Sequence, residues 1–180
     1  MLLDPAVGAL LSGCYALLFV SAALHKLRSL PRFAAVLEAY DLLPSGGGRL
    51  AVLVPLLELG LALGLLADQW RAAAALAAAA LLACYAAAIG INLARGRTDL
   101  TCGCGGPSER RPIAPWMVWR NLALAALVCA GALPLSPRAL AATDFLTIAA
   151  GVAVAALLYV SLDGLLGQVA PRGRLMRGAR

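Results

Sequence analysis

Five long apolar runs, separated by short polar or basic links, set the pattern of this chain. Residues 5–24 are uncharged throughout, and 50–67 are interrupted only by Glu58. Residues 72–94 are uncharged and rich in alanine, 114–135 carry Arg120 near the start, and 145–162 lie between Asp144 and Asp163. A helix crossing a hydrocarbon core of about 30 Å needs roughly 17–25 residues, which every one of these runs supplies. All are too long for strands and none alternates, and a helix satisfies its own backbone where water is absent. The pattern therefore predicts an all-α fold, a polytopic transmembrane helical bundle of five spans forming one domain over 1–180.

Composition narrows the class further. The chain is 62% hydrophobic and 13% charged, against about 45–50% and about 25% for globular proteins. A chain of this size has too little interior to hide that much apolar surface, so the surplus must face lipid. A disordered tail, a disulfide miniprotein and an ordinary water-soluble enzyme are excluded. The first run is longer than a signal-peptide core and is preceded by Asp4 with no basic residue, so it reads as a retained helix.

The net charge of +6 has its meaning in where the charges fall, which points away from nucleic acid. Lys26, Arg28, Arg32 and Arg49 lie between spans one and two, and Arg95, Arg97, Arg110 and Arg111 lie between three and four, with Arg120 just beyond. Arg172, Arg174, Arg177 and Arg180 lie in the tail. These are thirteen of the fifteen basic residues, leaving Arg71 and Arg138 for the opposite face. Five spans put the three basic segments on one side, which the charge bias makes cytoplasmic. The expectation is a multi-pass protein of the bacterial cytoplasmic (inner) membrane, N-terminus outside and C-terminus in the cytoplasm. Trp70, Trp116 and Trp119 fall at helix ends as interfacial aromatics do. Gly60 and Gly64, with the slim alanines of the third span, suit close packing of helices in lipid.

Candidate chemistry concentrates in Thr101-Cys102-Gly103-Cys104-Gly105-Gly106-Pro107, between spans three and four. Two sulfurs one glycine apart can close a tight disulfide ring, and strained or exposed disulfides are the reactive ones. Flanking arginines favour thiolate, the nucleophile in exchange. Cys102 and Cys104 thus read as a redox dithiol. The competing readings are a half-site for a soft metal, to which His25 is one further ligand, and a loop whose cysteines merely lie close.

Cys14, Cys84 and Cys129 lie inside spans one, three and four. They read as apolar filler or, at comparable depth, as a thiol relay across the membrane. Glu58 lies about 12 Å into its span at 1.5 Å per residue, where a carboxyl is costly and should face the interior with a partner. Its functional reading is a proton donor or acceptor, or a hydrogen bond to a bound quinone. Its structural reading is a bond to Asn92, Tyr85 or a helix backbone. His25 and Lys26 read as interfacial anchors, while Arg120 and Asn121 read as residues orienting the Cys loop, with snorkelling as the alternative for Arg120.

Several of these residues together form a pattern: Asn92-Leu93-x-Arg95-Gly96, then Cys102-Gly103-Cys104-x-Gly106-Pro107, then Arg120-Asn121. With Lys26-Leu27, Tyr40 to Pro44 and Pro55-Leu56-Leu57-Glu58, the chain resembles the MauE (methylamine utilisation) family from about residue 5 to 165. The resemblance implies a DoxX-like four-helix core. It further implies maturation of an exported, disulfide-rich dehydrogenase subunit with a thioredoxin-like partner, hence thiol–disulfide oxidoreductase chemistry. The chain departs from the pattern at Gly105, where the family usually has phenylalanine. The alternatives are a small metal-handling transporter or channel using Glu58, His25 and cysteines, and a non-catalytic assembly subunit of a membrane redox complex. Disulfide formation belongs to an oxidising compartment, whereas the charge bias puts Cys102 and Cys104 at the cytoplasmic face. Either the loop folds back onto the bundle, or the protein carries reducing equivalents between faces.

Overall fold

The computed structural model describes residues 2–42, 47–103 and 112–169, without side chains at 47–49 and 167–169. Its elements are helices α1 (Pro5–Arg28), α2 (Leu30–Tyr40), α3 (Gly47–Leu66), α4 (Arg71–Ala94), α5 (Pro115–Cys129) and α6 (Ala142–Val169), with a 3₁₀ turn, Ala130–Ala132, after α5. Among the described residues there is no β-sheet, only two isolated bridges, Leu3 with Leu135 and Thr101 with Pro112.

Five of the six helices occupy the five predicted runs. Three of them, α1, α4 and α6, are long and apolar enough to cross a membrane, while the apolar part of α3, Leu50–Leu66, is shorter. Their outward faces carry large apolar side chains such as Leu53, Leu63, Leu76, Leu146 and Leu157, as lipid contact demands.

Two expectations change. The run 114–135 does not stay helical to its end: the α-helix stops at Cys129 and the chain is extended at Leu133. Apolarity continues there, but Gly131 and Pro134 weaken and then block the helical backbone. The link between the first two spans is also not plain loop. It contains α2, which starts with Pro31 in its first turn, where a missing N–H costs nothing. Its Phe33 and Tyr40 are buried while Arg32 and Glu38 face outward.

The main core lies between α1, α3, α4 and α5. It contains Tyr15, Phe19, Leu61, Leu65, Ala75, Ala78, Leu82 and Val128. The alanines of α4 allow the close approach expected of them, for a Cβ on Gly64 would lie 3.0 Å from that of Ala74, whereas Gly60 meets nothing within 4 Å. Half of that glycine pair is therefore a packing site and half borders the surroundings. The Tyr15 hydroxyl donates to the Leu124 carbonyl at 2.7 Å, tying α1 to α5.

The two ends of the bundle differ. At one end Asp4 caps α1 through the Ala6 N–H, and Arg138 donates to both Asp4 and Asp144. Arg71, read as a face-marking charge, is buried there and donates to the carbonyls of Gly131 and Leu133. The other end, where α1 and α4 finish and α5 begins, gathers α2, Cys102 and most of the polar side chains considered next.

Candidate functional site at the end of the bundle

The stop of α4 begins the site. Gly96 sits at φ 75. Its N–H donates to Leu93 and that of Arg97 to Asn92, the paired bonds by which glycine closes a helix. Arg97 is thereby turned back toward α2. The last carbonyls of α2, which have no partner within the helix, are taken up from this turn. Asn92 Nδ2 donates to Tyr40 O at 3.2 Å, Arg97 Nη2 to Ala39 O at 2.7 Å and Arg95 Nη1 to Asp41 O at 3.2 Å. The Asn92-Leu93-x-Arg95-Gly96 pattern thus ends one helix and caps another.

Just beyond, the Ile113 N–H donates to the Leu100 carbonyl at 2.8 Å, closing the neck of the loop so that Cys102 is the second residue inside it. Cys102 is 7% exposed and packs with Tyr40, Ile89, Ile113 and Met117. It is disulfide-bonded; Cys104 lies outside the described residues. The Tyr40 hydroxyl donates to the Cys102 carbonyl at 3.4 Å, and burial pushes that phenol up to about 12. Gly103 is required twice, for its φ of 64 and because a Cβ there would meet Val36 Cγ1 at 2.8 Å. Cys102 and Gly103 therefore lie against α2.

Phe33 connects this turn to a buried charge pair. Its ring is the next neighbour of Gly103, and Lys26 Nζ stands 5.4 Å from the ring centroid. Lys26, 3% exposed, donates to Glu58 Oε1 at 2.5 Å, and Tyr85 Oη donates to the same oxygen at 2.8 Å. Glu58 is 0% exposed and its second oxygen, Oε2, has no hydrogen-bond partner among the described residues. Lys26 is therefore no interfacial anchor, because the end of α1 is roofed by α2. Glu58 is eight residues, roughly 12 Å at 1.5 Å per residue, beyond the start of the apolar part of α3 at Leu50. Of the structural partners expected for Glu58, Tyr85 is present and Asn92 is engaged with α2.

The remaining candidates divide. Arg120 is ion-paired with Asp163 of α6 and lies over the Trp116 ring, so it joins α5 to α6. Asn121 is buried and donates to the Met117 carbonyl at 2.8 Å. His25 is half-buried in the last turn of α1, its carbonyl accepting from Ser29. Cys14, Cys84 and Cys129 carry free thiols, with Cys84 and Cys129 exposed. Each lies at least ten residues along its helix from the basic end, roughly 15 Å or more, so none adjoins Cys102. Residues that sequence reasoning passed over are Phe33 and Val36; Arg97 entered it only as a topology charge, and Tyr40 and Tyr85 only in passing. The signal for Phe33, Val36 and Tyr40 is their spacing along one face of a short amphipathic segment inside a charged link.

A bundle of apolar helices with a cysteine turn and the buried Lys26–Glu58 pair at the same end defines a helical membrane protein with a polar site under its rim. The family match settles what kind. The chain belongs to the MauE family, methylamine utilisation protein MauE, which matches residues 4–134. It is 42% identical to methylamine utilization protein MauE of Paracoccus denitrificans, over 92% of this chain and 90% of that one. With the protein of the same name from Methylophilus methylotrophus it shares 37% identity over 97% and 94%. No solved structure matches.

Proposed function

We propose that this protein serves methylamine utilisation as a membrane thiol–disulfide exchange factor, with Cys102 and Cys104 as the exchanging pair. The observation that carries the reading is the disulfide at Cys102, set in a glycine turn at the basic end while Cys14, Cys84 and Cys129 remain thiols. A partner thiolate attacks one sulfur, the S–S bond breaks, and the released sulfur leaves as thiolate and takes a proton. The second partner thiol then resolves the mixed disulfide. Two electrons and two protons pass to this protein, and the partner leaves oxidised; the reverse sequence delivers a dithiol to a disulfide. The partner is a thioredoxin-like protein and the client an exported protein containing disulfides. The orientation is N-terminus outside and C-terminus cytoplasmic in the bacterial inner membrane, and the buried Lys26–Glu58 pair next to the turn is a fixed charge environment for exchange.

Cys102→Ser and Cys104→Ser test this. In the direction in which a thiolate of this chain attacks a partner disulfide, loss of the cysteine that would resolve the mixed disulfide traps a covalent adduct, seen on a non-reducing gel and released by reductant. Absence of adducts from both variants, with normal client maturation in the double variant, overturns the reading.

A further inference from the structure

We propose that α2 is a movable cover over Cys102, latched by Tyr40 and by the end of α4, and that it must lift before another thiol can reach the sulfur. The purpose of the cover rests on the exchange function proposed above, but the access it controls is measurable alone. In-line attack on a disulfide needs an open approach along the S–S axis, and exchange rates depend on access. Cys102 is 7% exposed. What lies against this turn from α2 is Val36 and Phe33 on Gly103, with Tyr40 packed on Cys102 itself.

The helix is built to move as a unit. It is separated from α1 by Ser29, at φ −140 and ψ 48, and ends at Asp41, at φ 50. Such element-terminal positions absorb hinge changes. Its C-terminal end is held by polar bonds, two of them exposed, from Arg97 to Ala39 and Arg95 to Asp41, and two buried, from Asn92 to Tyr40 and, at a long 3.4 Å, from Tyr40 to Cys102. Segments held this way open at lower cost than the apolar core. The latch also reports on the cysteine. Its acceptor is the Cys102 carbonyl and its neighbour Gly103 is wedged under Val36, so a turn reshaped by opening the disulfide disturbs α2 first.

The experiment uses the full chain in lipid nanodiscs, with Cys14, Cys84 and Cys129 replaced by serine. The Cys102 disulfide is reduced by a water-soluble phosphine, and alkylation of the freed thiols is followed by mass spectrometry. The phosphine supplies the electron pair and takes up the oxygen of water, and the two sulfurs leave as thiols. The expected result is reduction at least about tenfold slower than in the same chain unfolded in denaturant. Tyr40→Phe and Arg97→Ala each accelerate it about three- to tenfold, the effect of losing one ordinary hydrogen bond, with unchanged thermal melting. A wild-type rate equal to the unfolded chain's, or both variants at the wild-type rate, overturns the cover. Client maturation by Cys102→Ser cells reads the exchange function separately, since the phosphine assay needs no partner.

Discussion

At the scale of single residues, the buried Lys26–Glu58–Tyr85 cluster carries the sharpest energetic consequence. A charge removed from water is tolerated only when paired, and losing one partner strands the other. With Lys26 Nζ at 2.5 Å, Glu58→Gln leaves an ammonium group buried without a carboxylate. Lys26→Met alone should lower stability by about 3–5 kcal/mol, and Glu58→Gln alone by a comparable amount. The double variant Lys26→Met/Glu58→Gln should recover most of the loss, because the glutamine oxygen still accepts from Tyr85. Unfolding titrated with a denaturing detergent measures the cycle; strict additivity of the two losses would show that the pair is not a coupled unit. Both residues were visible in the sequence, but their contact was not. They lie 32 positions apart and meet only because α1 and α3 pack in one particular register, which hydropathy does not encode.

At the scale of elements, the five long runs were legible as helices because long apolar runs without alternation leave no room for strands. Three of them, α1, α4 and α6, are long and apolar enough to span. The short α2 was not legible, since its eleven residues fall inside a link whose charges drew the attention. Its amphipathic face, Phe33, Val36 and Tyr40, becomes meaningful only once a groove exists for it. The cysteine turn was legible as chemistry, but its cover was not, because the latch joins Tyr40 to residues more than fifty positions away. The end of α5 was misjudged because apolarity was counted where Gly131 and Pro134 decide the backbone. The latch itself has a defined pH range. The phenol of Tyr40 is raised by burial from 10.0 to about 12, so its contribution is complete below about pH 10 and is lost as pH rises toward 12. Hydrogen-exchange protection of α2 amides, corrected for intrinsic rate, should be flat from about pH 6 to 9 and fall above about 10. A decline centred near neutrality would show that another group controls the helix.

At the scale of the whole molecule, thirteen basic residues against two make orientation a prediction with one clear readout. A reporter active only in the cytoplasm should give signal when fused after Arg180, and a silent but stably expressed fusion would reverse the topology. The opposite end of the bundle bears on how the protein is made. The N–H of Leu3 donates to Pro134 and its carbonyl accepts from Ser136, both at 2.8 Å, and Asp4 receives Arg138. Leu3 therefore finds these backbone partners only after more than 130 further residues have been synthesised. α1 is thus synthesised, and can insert, long before the backbone bonds that hold Leu3 exist.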